Sequence, residues 1–209
     1  MARGRFISLE GGEGVGKSTQ LAALAQALEG RGLEVVVTRE PGGSPGAEAI
    51  RKLLLEGEDG RWTLRAEALL FAAARADHIA KTIRPALAEG KWVLSDRFLD
   101  SSLAYQGEAG GLGFEAIRDL HRFGSEDFLP DRTLVLRLEG GEGARRAASR
   151  DADGADRIGG RPPSYHALVD AGFAKSAEAD PDRVRLIDAA GNEATVTARL
   201  LYALGDLLP

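Results

Sequence analysis

Between Glu10 and Thr19 the chain reads Glu-Gly-Gly-Glu-Gly-Val-Gly-Lys-Ser-Thr. Gly11, four residues, and then Gly16-Lys17-Ser18 fit the pattern GxxxxGK[ST] of a phosphate-binding loop. The chemistry such a loop offers is anion capture. Its glycines let backbone N–H groups, and those of the following helix's first turn, converge on a phosphate. Lys17 would reach the terminal phosphates and the Ser18 hydroxyl would ligate magnesium. A plain glycine turn needs neither the Lys nor the hydroxyl, and here both arrive in register.

The flanking elements must aim that loop. Arg5 to Leu9 reads as a short buried strand and Gln20 to Leu28 as a helix. A second strand, Leu33 to Thr38, is a β-branched run of the kind found in parallel sheets. It leads into Arg39-Glu-Pro-Gly-Gly-Ser-Pro45, where Arg39 is a donor with no acceptor nearby in sequence. Helices are expected over Ala47 to Glu56 and Leu64 to Glu89, and Phe71 and Arg75 stand four apart on one face of the latter. Lys91 to Asp96 is a strand ending in a carboxylate, placed to lie beside the magnesium of the phosphate loop, and Arg97 follows at once. Phe98 to Gln106 reads as helical and Gly107 to Gly113 as a mobile glycine-rich connection. Beyond come a helix (Phe114 to Phe123), a strand (Thr133 to Leu138), a weaker helix (Tyr165 to Ala179), a strand (Arg183 to Asp188) and a closing helix (Glu193 to Leu204). Strands alternating with helices give an α/β fold. The expectation is a P-loop NTPase with a parallel core of about five strands, helices on both faces, and a lid.

From Glu139 to Pro163 the chain is rich in Gly and Arg and poor in large apolar residues, so it cannot bury a core of its own. A lid over about residues 140–163, closing on phosphates, is the sharper reading. The usual one is a solvated loop. Nothing else divides the 209 residues, and one domain is expected. The net charge of −5 argues against broad adhesion to nucleic acid. No apolar run is long enough to span a membrane, and the first strand begins too near Met1 to leave room for a signal peptide. A cytoplasmic protein without membrane partners is expected. With no Cys and only three scattered His, thiolate metal sites are excluded and a zinc site is not indicated. Guanine recognition through Asn-Lys-x-Asp is excluded too, since Asn192 is the only Asn. A kinase for a small acceptor fits better than a nucleotide switch.

Four further segments make the reading specific. Thr38-Arg-Glu-Pro-Gly-Gly-Ser44, Leu69-Leu-Phe-Ala-Ala-Ala-Arg75, Ser95-Asp-Arg-Phe98 with Ser101-Ser-Leu-Ala-Tyr-Gln-Gly107, and Pro130-Asp131 resemble, in order and spacing, the thymidylate kinase family. The resemblance implies phosphoryl transfer from ATP to dTMP, with magnesium, in a homodimer. It implies ATP on Gly11, Gly12, Glu13, Gly14, Val15, Gly16, Lys17, Ser18 and Thr19, with the metal on Ser18 and Asp96. For the acceptor it implies Phe71 against thymine, Arg75 on its carbonyl edge, Tyr105 against the sugar, Ser102 and Gln106 lining the same pocket, and Glu13 on the 3′-hydroxyl. That second duty would also explain an acidic residue inside an anion-binding loop. Arg39, Arg51 and Arg97 become candidates for the acceptor phosphate. Lys17, Asp96, Arg97 and a lid arginine, Arg150, are the catalytic candidates; relatives with Gly before the loop Lys and a basic lid carry the catalytic Arg in that lid. Ser44 stands where Thr is usual and Phe98 where Tyr is common. A kinase for another nucleoside monophosphate or a deoxynucleoside shares the loop and the Asp-Arg pair, and a non-catalytic ATP-binding regulator is a further alternative.

Overall fold

The computed structural model describes residues 4–58, 60–138, 143 and 157–209. Every residue of β1 (Phe6–Glu10) is buried, because β3 (Trp92–Asp96) pairs with one edge of it and β4 (Arg132–Arg137) with the other, both in parallel. β2 (Val35–Arg39) adds outside β3, and β5 (Val184–Asp188) outside β4. The result is a five-stranded parallel sheet in the order β2-β3-β1-β4-β5. As an edge strand β2 leaves Val37 half exposed, although its β-branched run resembles an interior strand.

Alternation along the strands divides the core in two. Ile7, Leu9, Leu94, Leu134 and Leu136 pack on α1 (Lys17–Glu29) and on Val196 and Leu200 of the C-terminal helix Glu193–Ala203. Phe6 and Val93 face the other way, onto Phe98, Leu103, Ile117 and Ile83. Helices therefore cover both faces, as a parallel sheet requires. The Pro130-Asp131 motif has a mechanical use: Asp131 accepts from the Phe6 backbone N–H at 2.9 Å and from Arg5 Nη1 at 3.0 Å, fixing the entry to β1.

Registry does the positioning. Leu9 of β1 and Arg39 of β2 both lie level with Asp96 of β3, so three strands end together at one edge. From that edge emerge the phosphate loop, the Arg39–Ser44 loop and the Asp96-Arg97 pair. The connections that leave the neighbouring strands β1 and β3 run in opposite directions there, where open α/β sheets bind ligands.

Three local expectations need correction. The span 64–89 is not one α-helix: α2 (Pro45–Leu55) is followed by α3 (Leu64–His78), a π turn (Ile79–Ile83) and α4 (Arg84–Ala88). In a regular helix the Pro85 ring would meet the carbonyl of residue 81, and the wider turn moves it aside. The span 98–106 is a short α5 (Leu99–Ser102) continued by a second π helix (Leu103–Ala109). Gly107 therefore belongs to a buried element rather than a mobile connection, and the chain beyond it is tied back by the Gly113 N–H donating to the Gly107 carbonyl at 2.9 Å. α6 (Phe114–Ser125) and α7 (Pro163–Ala179) pack against this π helix. α7 comes closest: a side chain at Gly172 would meet the Ala104 backbone at 2.7 Å, so only glycine fits there. The C-terminal helix Glu193–Ala203 is α8.

Candidate active site

The phosphate loop closes over its own lysine. Lys17 is 8% exposed and donates through Nζ to the carbonyls of Gly11 (3.1 Å) and Gly12 (2.7 Å). Burial, with Arg97 nearby, pulls its pKa down to about 8, against the opposing pull of Glu13, Asp96 and Glu10. Gly14 and Gly16 take positive φ of 75° and 92°, the turns that only glycine makes without strain. Gly11 is held against the Leu136 backbone and Val15 faces the core, so these two contribute main chain rather than side chain to a ligand. Ser18 and Thr19 are exposed on the first turn of α1, and Ser18 lines the cleft in front of the loop.

Asp96 ends β3 on the wall of that cleft, and its Oδ1 is buried without a hydrogen-bond partner. An unsatisfied buried carboxylate oxygen beside a lysine and a serine hydroxyl suits a divalent cation. Next, Arg97 has φ 71°, uncommon for a side-chain-bearing residue. Three contacts hold the turn: Arg97 N to the Leu9 carbonyl, Ser95 Oγ to the Arg97 carbonyl, and Phe98 N to Glu10 Oε1. Glu10, to which sequence reasoning gave no role, is fully buried and also accepts from Ser101 Oγ. Burial, and then Asp100, push its pKa up to about 8. It braces the turn that aims Arg97.

Both terminal nitrogens of the Arg97 guanidinium are engaged. Nη1 donates to the Gly11 carbonyl and Ser101 Oγ, both at 3.0 Å, and Nη2 to Glu13 Oε1 (2.6 Å) and Tyr105 Oη (3.2 Å). Tyr105 Oη also donates to Glu13 at 3.3 Å. Burial raises the Glu13 pKa, but Arg97, Lys17 and the tyrosine outweigh it and hold the carboxyl below its ordinary value. An acidic residue in the loop thus has a partner within the protein.

The other wall is built on α3. Glu67, Phe71 and Arg75 recur every fourth residue; Phe71 and Arg75 line the cleft opposite Tyr105, and Glu67 is fully buried. Ser102 lines it too and accepts from Arg75 Nη2 at 2.7 Å. Gln106, expected to line the same pocket, is 1% exposed and donates to Glu67 Oε1, while its own Oε1 is buried without a hydrogen-bond partner among the described residues. Arg51 reaches the cleft from α2, with Nη1 on the Pro41 carbonyl. Arg39 also borders the cleft, and its acceptor comes from farther along the chain: Glu48, nine residues on, receives it at 3.1 and 3.2 Å. Helix α2 folds Glu48 back over the loop, where it also accepts from Gly43 N.

Glu40 and Glu67 were missed by sequence reasoning. Glu40 is 6% exposed and joins Arg75 to His78. Glu67 gathers Arg157 and Arg161, each at 2.7 Å, and Arg157 Nε donates to the Leu54 carbonyl. Those two arginines of the expected lid are thus paired within the protein. A signal existed for Glu67, four residues before Phe71 on the same helical face. Arg150 and most of the expected lid lie outside the described residues.

A family model described as thymidylate kinase matches residues 9–200. The chain is 61% identical over 206 residues to a thymidylate kinase of Rhizorhabdus wittichii, covering 99% of each chain. It is 47% identical over 209 residues to one of Bradyrhizobium diazoefficiens, covering 99% of this chain and 92% of that one. It also superimposes on the crystal structure of thymidylate kinase from Ehrlichia chaffeensis with a TM-score of 0.77 and 31% identity, over 97% and 99% of the two chains.

Proposed function

The chain belongs to the thymidylate kinase family and phosphorylates dTMP to dTDP with ATP; from that premise we propose how its residues divide the work. The observation that carries the assignment is the single cleft in which the common ending of β1, β2 and β3 sets Lys17, Asp96 and Arg97 beside Phe71 and Arg75 of α3. ATP lies along the phosphate loop from Gly11 to Thr19, and dTMP lies between Phe71 and Tyr105 with its phosphate toward Arg97, Arg51 and Arg39. The nucleophile is a phosphate oxygen that is already anionic, so no strong base is needed. Catalysis is alignment plus positive charge on the transferring group.

Magnesium would be held by Ser18 and Asp96, whose unsatisfied Oδ1 supports this reading; when bound, the ion neutralises charge on the ATP phosphates. Lys17 supplies charge on the donor side, Arg97 on the acceptor side, and Arg150 of the lid the third. Arg150→Ala is expected to lower kcat by about 10³, the scale of a phosphoryl-transfer arginine. Arg161→Ala should cost under about tenfold, because its charge is spent on Glu67. Comparable losses in kcat for the two variants would remove Arg150 from the catalytic set.

Glu13 divides its carboxylate between Arg97 and the sugar. Accepting the 3′-hydroxyl loosens its hold on Arg97, leaving that guanidinium to the acceptor phosphate. A 3′-deoxy acceptor should therefore lose roughly 10- to 100-fold in kcat/KM, the worth of a hydrogen bond to a charged group. Glu13→Gln should narrow the gap. Identical discrimination by both enzymes would leave Glu13 as a partner of Arg97 alone.

The working form is a homodimer of single-domain chains acting in the cytoplasm. Exposed Leu53, Leu69 and Phe123 support it, sitting on α2, α3 and α6, which pack side by side. Sedimentation tests it. No helix among the described residues is long and apolar enough to cross a membrane.

A further inference from the structure

Arg75 is nearly sealed in the protein, at 2% exposure, and most of its donors are spent. Nε donates to Glu40 Oε2 at 2.8 Å, and Nη2 to Ser102 Oγ at 2.7 Å and the Phe98 carbonyl at 3.3 Å. Only Nη1 is left without a partner among the described residues. Three fixed contacts define the guanidinium plane, and the Phe98 ring lies beneath it at 5.3 Å. The direction of Nη1 is therefore set by the partners of the other two nitrogens.

Of those partners Glu40 is the one that is itself locked. Its second oxygen accepts from His78 Nδ1 at 3.0 Å, and His78, wholly buried, meets Thr38 Oγ1 through Nε2 at 2.7 Å. The line Thr38–His78–Glu40–Arg75 runs from the end of β2, through the last turn of α3, to the cleft. Ser102 cannot do the same work, because a hydroxyl both donates and accepts and turns to suit either base edge. A guanidinium only donates.

We propose that Glu40 is the positioning residue for base choice: by holding Arg75 at Nε and being held by His78, it aims Nη1 at the exocyclic position where thymine carries an oxygen and cytosine an amino group. The proposal rests on the reading that Arg75 faces the base. Without Glu40 the guanidinium can swing, Ser102 can re-pair, and the cleft loses its preference for an acceptor edge.

The test is the ratio of kcat/KM for dTMP over dCMP in wild type, Arg75→Ala, Glu40→Ala and Glu40→Gln. A variant that merely folds less well lowers both rates together and leaves the ratio unchanged. Wild type should give a ratio on the order of 10⁴, the worth of one mismatched hydrogen-bonding edge. Glu40→Ala should bring it within about tenfold of the Arg75→Ala value. Glu40→Gln, whose single amide oxygen serves only one of two donors, should lower it by about tenfold, and it carries the test if the alanine variant is insoluble. Ratios for both Glu40 variants within about threefold of wild type, with Arg75→Ala collapsed, would overturn the positioning role while leaving the base reading intact. An unchanged ratio in Arg75→Ala would overturn the base reading itself.

Discussion

Lys17→Ala is expected to abolish turnover, by at least about 10³ in kcat, the several kcal/mol lost when a positive group at the transferring phosphoryl is removed. The fold should survive. Although Lys17 is buried, its ammonium donates, among the described residues, to the Gly11 and Gly12 carbonyls and lines the cleft rather than the apolar core. Burial and Arg97 depress its pKa toward 8, so the protein around it does not favour the charged form. The charge is maintained there for an anion, and the loop's own glycines gain nothing from it that water could not give. Circular dichroism and turnover measured on one sample distinguish the possibilities. Native helix content with turnover lost is the expected pair; near-normal turnover would remove the loop from the mechanism.

The second large effect is in acceptor choice. Activity is expected to fall in the order dTMP, dUMP, dCMP, with the larger step at dCMP. A thymine methyl in an apolar pocket is worth roughly 10- to 200-fold, whereas a donor-only group facing an amino group leaves both unpaired, at a cost of about 10⁴. Arg75→Ala should compress the dCMP step and leave the dUMP step, since the methyl is sensed by packing. Stacking on Phe71 is indifferent to both edges and should not alter the order. Equal kcat/KM for dUMP and dCMP with wild type would show that Arg75 does not read the base.

Much of this was legible in the residues alone. The phosphate loop, the Asp96-Arg97 pair and the Phe71–Arg75 face are local patterns, and the sheet registry gathers them as the strand–helix alternation implied. What escaped were interactions between residues far apart in sequence. Glu40 meets Arg75 across 35 positions and Glu67 meets Arg157 across 90, and no spacing rule reaches that far. The acceptor of Arg39 was not legible either, because Glu48 sits on the next helix and comes within reach only when that helix folds back.

The order of the strands sets when, during synthesis, the catalytic loop can form. β1 is flanked by β3 and β4, and the bond from Asp131 that fixes its first residue spans 125 positions. At about 5–20 residues per second, a ribosome needs on the order of ten seconds between making β1 and making its last neighbour. Until β3 is made both edges of this apolar strand are unpaired, and until β4 follows one edge stays open to other chains. The enzyme's first-made element is thus among the last to be completed. A nascent chain stopped before Arg132 should be unable to retain ATP, and one released just beyond Arg137 should be the shortest in which β1 is paired on both sides.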